Sequence, residues 1–379
     1  MSDKEVLKVD CLAFAIYMAV CEAGPECFDA FWRKGKYGPG FGIGAIKKQG
    51  KHTDCLTVVD PLIENLLLSK ISSRYPSHLF IGEETASESS ERRTYSNLPT
   101  WIIDPIDGTN NFVHRFPSVG ISIALSIDNF AEVGVVFLPV LDELYFGSIG
   151  NGAYLLENAS KVVNSVFSEG FDKTIFTSSP AAVISNLTSV SRKLPLYDLA
   201  SLEYLDDIDR CSVITEHGTD RNEVSLGKRT RTISRLLSSD PDPLKGGHIE
   251  SLRIMGCASV DLINVAKGSA DIYFESGPHI WDYAAAAVFV LESGGALFSG
   301  EGLYGTPEAV PVSSNPDVEP KPFNMWNRTV TAVRAMPNLD NSEGQEIPGS
   351  AIKKQKQLAH QLLCLVESID YEPDGFPPE

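Results

Sequence analysis

No Cys-x-x-Cys pair occurs in this chain. Its seven cysteines (11, 21, 27, 55, 211, 257 and 364) are scattered and odd in number, which excludes a zinc knuckle and a paired disulfide framework and leads us to expect reduced thiols in the cytosol. Positive charge is scarce: 32 Lys and Arg stand against 50 Asp and Glu, a net charge of −18, which argues against nucleic acid as a partner because phosphate backbones need clustered cations. The one basic cluster, Lys228, Arg229, Arg231 and Arg235, sits near Asp206, Asp207, Asp209, Glu216, Asp220 and Glu223 and reads as a solvated loop. No run is long and apolar enough to span a membrane, and Met1-Ser2-Asp3-Lys4-Glu5 does not open a secretory signal. The Gly-rich stretch Gly35 to Gly44 never completes Gly-x-Gly-x-x-Gly and no Gly-Lys-Ser/Thr follows, so a hairpin or lid is expected there rather than a nucleotide loop. No internal repeat is found. In this compartment the Asn-x-Ser/Thr sites at Asn158, Asn186 and Asn327 are chance matches.

What is present is a soluble globular pattern: 43% hydrophobic residues over 379 positions suffice for a full core. Helical spacing runs over residues 9–32, with Gly24-Pro25 able to kink or divide it, over 56–74 from near Thr57, over Gly256 to Ala266, over Trp281 to Leu291 and over 352–369. Alternating β-branched residues between 118 and 156 predict an antiparallel meander. Further strands are expected at Lys173 to Ser178, Ala270 to Glu275 and Thr329 to Val333. Residues 190–247 are polar without a sustained period and read as a surface-loop insertion. Residues 300–326 and 336–350 read as long connections. A single domain over 5–370, with a disordered tail at 371–379, is the expected organisation.

The informative string is Trp101-Ile102-Ile103-Asp104-Pro105-Ile106-Asp107-Gly108-Thr109-Asn110-Asn111-Phe112-Val113-His114. An apolar strand ends in two carboxylates three apart and then a Gly-Thr turn. Hard divalent cations take oxygen ligands, and Mg²⁺ suits a few carboxylates plus substrate phosphate; Asp104, Asp107 and the Ile106 carbonyl fit. Gly108 allows backbone to approach an anion, and Thr109 adds a hydroxyl. Asp-x-x-Asp alone would be an ordinary capping turn.

With Ile81-Gly82-Glu83-Glu84 upstream and Glu275-Ser276-Gly277-Pro278-His279-Ile280-Trp281-Asp282 downstream, this string closely resembles the inositol monophosphatase family of magnesium-dependent, lithium-sensitive phosphatases, over much of residues 10–335. The resemblance implies an α/β (α+β layered) fold, the five-layer αβαβα sandwich of the inositol monophosphatase/fructose bisphosphatase type. It implies that Glu83, Asp104 and the Ile106 carbonyl hold one Mg²⁺, that Asp104, Asp107 and Asp282 hold a second, and that a third lies near Glu83. Thr109 and Glu83 would orient the attacking water, with Thr57 and Asp60 supporting them from the Asp54-x-x-Thr57-x-x-Asp60 element. Thr57 and Asp60 also read as a loose capping box. Where the family carries a lysine, this chain has His52, beside Lys51.

Substrate contacts are implied at Gly108, Thr109, Gly256, Cys257, Ala258, Glu275 and Asp282, with Ser178 or Ser179 as further candidates. Core packing is the competing reading of Cys257, and His279 and Trp281 read as packing; Glu84 is either a spectator or part of the acidic shell. The residues after Thr109 favour inositol monophosphate over 3′-phosphonucleotides or other sugar phosphates. A catalytically inactive binding protein is the reading from another class. A homodimer in the cytoplasm is what the resemblance implies for assembly and place.

Overall fold

Residues 3–32 form one apolar helical rod rather than two separate helices: α1 (Asp3–Tyr17), a π-helical turn (Met18–Ala23) and α2 (Gly24–Trp32). The wider π turn gives the Pro25 ring the room that a regular helix would deny it. The computed structural model describes residues 2–32, 46–47, 55–88, 96–168, 179–202 and 204–375. The expected Gly35 to Gly44 lid, Lys51, His52, Asp54, the expected strand Lys173 to Ser178 and residues 376–379 lie outside them.

After the short antiparallel pair β1 (Ile46–Lys47) and β2 (Cys55–Leu56) come α3 (Val59–Arg74), β3 (Leu79–Gly82), α4 (Glu83–Glu88), β4 (Thr100–Asp107) and α5 (Thr109–His114). The expected meander follows as β5 (Gly120–Ile127), β6 (Phe130–Leu138), β7 (Glu143–Ser148) and β8 (Gly152–Glu157), then α6 (Ala159–Ser168), α7 (Pro180–Ser189) and β9 (Arg192–Lys193). These strands make a seven-stranded sheet in the order β3-β4-β5-β6-β7-β8-β9, parallel only between β3 and β4.

The second half contributes β10 (Ser212–Thr215), α8 (Glu223–Leu237), β11 (Ser251–Arg253), α9 (Ala258–Lys267), β12 (Ile272–Ser276), α10 (Ile280–Glu292), β13 (Ala296–Phe298), β14 (Thr329–Val333) and α11 (Ser350–Leu365). Its five-stranded sheet runs β11-β10-β12-β14-β13. Residues 190–247 therefore differ from the expected surface loop. β10 is an internal strand pairing with both β11 and β12, and α8 is capped by Asn222, whose side chain accepts from the Ser225 amide at 2.9 Å.

Period-two alternation sends neighbouring side chains to opposite layers. Trp101 and Ile103 of β4 face α1, α2 and α3, whereas Ile102 faces α9 and α10. Tyr273 of β12 faces that same middle helical layer, while Ile272 and Phe274 face α8 and α11 through Leu236, Leu358 and Leu362. Helix, sheet, helix, sheet, helix is thus the stacking, five layers as expected. The middle layer is the driest: Ala284 to Val290 of α10 are all buried, and a Cβ on Gly134 of β6 would lie 2.2 Å from the Ala285 carbonyl oxygen. That close approach requires glycine.

Candidate active site

β4 stops pairing regularly with β5 between Asp104 and Asp107. Pro105 has no N–H to give to the ladder, and the Ile106 amide turns instead to Asp104 Oδ1 at 2.9 Å. Both carboxylates thereby stand where the strand's regular pairing ends. Gly108 at φ 83° then starts α5, in a place where a Cβ would sit 2.7 Å from the Ser118 carbonyl.

Asp282 arrives from the middle helical layer. It is the third residue of α10, and its Oδ2 accepts from the His279 amide at 2.7 Å in a capping box. One oxygen each of Asp104, Asp107 and Asp282 lies within 4.8 Å of the others, the kind of cluster that can hold a cation. Glu83, first residue of α4, lines the same cavity. Burial, then the facing charges of Glu83 and Asp107, raises the carboxyl of Asp104 well above its ordinary value; Asp282 is raised likewise, and Asp107 to about 6. Carboxylates so placed need a counter-charge to be ionised together. The donor set of hard oxygens fits Mg²⁺.

Beside this cluster, Thr109 Oγ1 lies 2.9 Å from the Ile106 carbonyl and 3.3 Å from Asp60 Oδ1. Asp60 in turn accepts from the Thr57 amide at 3.0 Å and from the Thr57 hydroxyl, while Thr57 Oγ1 accepts from the Val59 amide at 3.1 Å. Capping and a route from Thr109 to a buried acid coexist here. Burial above all, with the Glu83 charge, lifts Asp60 to about 7.

The cavity holds about 310 Å³ and is lined by Glu83, Asp104, Ile106, Asp107, Gly108, Thr109, Gly256, Cys257, Ala258, Glu275 and Asp282, so the expected metal and substrate residues converge on one space. Asp60 and Thr57 stand behind it. The Gly256 amide, expected to face substrate, donates to Glu216 at 2.7 Å, as does the Met255 amide. Cys257 is more than packing: its thiol approaches Asp107 Oδ2 at 3.1 Å, next to the Ser259 amide at 2.7 Å. Glu275 accepts from the Tyr273 hydroxyl and is lifted to about 8 by burial and by Glu216. His279 and Trp281 stack at 4.4 Å and both line the cavity, so packing and site coincide. Glu84 is buried and is not among the lining residues.

Ser179 is placed elsewhere, exposed at the start of α7, which packs on α1. The cavity is also lined by residues that the sequence reading missed: Glu216, His217, Gly218 and Thr219 after β10, together with Arg328 and Tyr371. The signal was the run Val213-Ile214-Thr215 before Glu216 and Gly218, an apolar strand ending in acid and glycine that its polar flanks concealed.

Among known proteins, the model of the inositol monophosphatase family matches residues 36–325. The chain is 35% identical to inositol monophosphatase 1 of Rattus norvegicus over 279 residues, 74% of this chain and 76% of that protein. It is 32% identical to inositol monophosphatase 1 of Homo sapiens over the same shares. The fold is shared with the extragenic suppressor protein SuhB of Bartonella henselae (TM-score 0.57, 18% identity, 92% of this chain and 96% of that one). An IMPase of Thermotoga maritima gives a TM-score of 0.56 at 18% identity, covering 93% and 98%.

Proposed function

The chain belongs to the inositol monophosphatase family, and from that premise we propose that it is a Mg²⁺-dependent, Li⁺-sensitive phosphomonoesterase that hydrolyses myo-inositol monophosphate to inositol and phosphate. The observation that carries the reading is the meeting of Asp104, Asp107 and Asp282 within 4.8 Å beside the Thr109–Asp60 contact. Glu83, Asp104, Asp107, Asp282 and the Ile106 carbonyl would hold two or three Mg²⁺ ions. Bound there, the ions would supply neutralisation of the phosphoryl oxygens, an acidified water and support for the leaving oxygen.

The protein groups do the rest. Thr109 and Glu83 orient the attacking water on one side of the phosphorus. Asp60, with a carboxyl near neutrality, lies within reach of the Thr109 hydroxyl to take up a proton. Glu275, held by Tyr273, meets the hydroxyls of the polyol. A homodimer in the cytoplasm belongs to the same proposal.

Phosphate release from inositol 1-phosphate, with Mg²⁺, without it and then with Li⁺, tests the reading. Release that needs Mg²⁺ and is suppressed by Li⁺ supports it. Release from 3′-phosphoadenosine 5′-phosphate alone would make the protein a nucleotidase, and none from any phosphomonoester at millimolar Mg²⁺ would leave a binding protein.

A further inference from the structure

The basic residues of α8, expected as a solvated cluster, grip the chain that follows α11. Arg235 Nε donates to the Leu365 carbonyl at 2.8 Å, and its Nη2 meets Glu367 at 2.8 Å. Arg231 pairs with the same carboxylate through Nε at 2.8 Å and Nη2 at 2.7 Å. Lys228 reaches the Ser368 carbonyl at 2.8 Å, and buried Arg229 donates to the Tyr371 hydroxyl at 2.6 Å. As the helix is read backward, the partners of Arg235, Arg231 and Arg229 advance from 365 through 367 to 371, and Lys228 holds Ser368 between them.

This ladder delivers the last described residues to the catalytic cavity. The Tyr371 ring lies 4.8 Å from the Arg328 guanidinium, and both line the cavity. Gly277, at φ 116°, lets that ring close on the loop before α10; a Cβ there would stand 3.0 Å from Tyr371 Cζ. Asp374 follows. Its amide donates to the Trp326 carbonyl at 2.9 Å, its Oδ1 meets His279 Nδ1 at 2.7 Å, and its Oδ2 accepts from the Ile280 amide at 2.7 Å. Residues 371–375 are therefore packed where a disordered tail was expected, and they bind the turn that aims Asp282.

We propose that the segment from Val366 to Gly375 is a working wall of this active site, in which Tyr371, backed by Arg328, sets the size of the alcohol that the phosphate can carry and Asp374 positions the Asp282 turn. The size role rests on the phosphomonoesterase reading above; the positioning role does not. All these wall residues lie beyond residue 325, where the family match ends.

The test uses the full chain and Mn²⁺ as probe, titrated calorimetrically. Asp374→Ala weakens Mn²⁺ binding by about tenfold, the loss typical of a lost contact behind a metal ligand. Asp374→Asn, which keeps an acceptor for the Ile280 amide, falls between the two. An affinity equal to wild type in Asp374→Ala overturns the positioning role, and should that variant not fold, equality in Asp374→Asn does so. Tyr371→Ala raises kcat/KM for a nucleoside monophosphate relative to inositol 1-phosphate by about tenfold, a normal scale for pocket discrimination. Tyr371→Phe retains the ring and keeps the wild-type ratio. An unchanged ratio in Tyr371→Ala overturns the size role. If the wild-type protein releases phosphate from nothing, the function reading fails and the wall sets no alcohol size, while the Mn²⁺ titration still decides what Asp374 does.

Discussion

At the scale of single residues, Asp104 concentrates the problem the site has to solve. It is 2% exposed, one of its oxygens holds the Ile106 amide, and the carboxyls of Glu83, Asp107 and Asp282 all push its proton affinity up. Replacing it by the near-isosteric asparagine removes a proposed ligand and a repulsive charge together. Asp104→Asn is expected to lose turnover by more than about 100-fold, beyond the loss typical of groups behind a ligand, while its circular dichroism is unchanged and its melting temperature in EDTA rises. Retained turnover would take Asp104 out of its role. Cys257 shows the opposite economy: its thiol, raised by burial, stays protonated and donates to Asp107, so a small core residue also settles one carboxylate of the acidic cluster.

At the scale of elements, α4 is too short to stand alone, since six residues give few internal hydrogen bonds. Buried Glu64 of α3 holds it: its carboxylate accepts from the amides of Glu84 at 2.8 Å and Thr85 at 2.7 Å and from the Thr85 hydroxyl. Gly82 makes room, because a Cβ there would overlap the Glu64 carboxylate. Glu64→Ala is expected to cost about 1–3 kcal/mol, the usual range for stranded buried donors, and to weaken cation binding through Glu83. Urea unfolding and a Mg²⁺ titration of activity would check both, and unchanged Mg²⁺ dependence would separate the cap from the site. Elements like the meander and α10 were legible in the sequence because each keeps one period over many residues. β10 was not, since four residues between polar flanks carry no period, and Glu216 to Thr219 were hidden with it. The acidic cluster could be read because the strand-Asp-Pro-Ile-Asp-Gly-Thr order is itself chemical. Tyr371 and Asp374 could not, because their order comes from α8 and Trp326 and composition alone argues for disorder.

At the scale of the whole molecule, the layers bring β4 from one sheet, α9 and α10 from the middle and β12 from the other sheet to one cavity, in a chain whose net charge is −18. Acids that the fold buries together make its stability depend on pH and on cations. An unfolded aspartate titrates near about 4, whereas here Asp107 is raised to about 6, Asp60 to about 7, and Asp104 and Asp282 well above their ordinary value. Between those limits the metal-free folded state binds more protons than the unfolded one, so its stability falls as pH rises through that window. Mg²⁺ held as proposed would reverse the sign, because it would bind the ionised carboxylates and gain as their protons leave. Glu367, pulled down to about 2 by the Arg231 contact above all, loses its contribution only at lower pH. His78 and His279, lowered by burial, act with the opposite slope. Melting temperatures in EDTA are therefore expected to drop from pH 5 to pH 8, and the gain on adding Mg²⁺ to widen over the same range. A gain from Mg²⁺ that is the same at both ends would mean that these carboxylates do not share the cations.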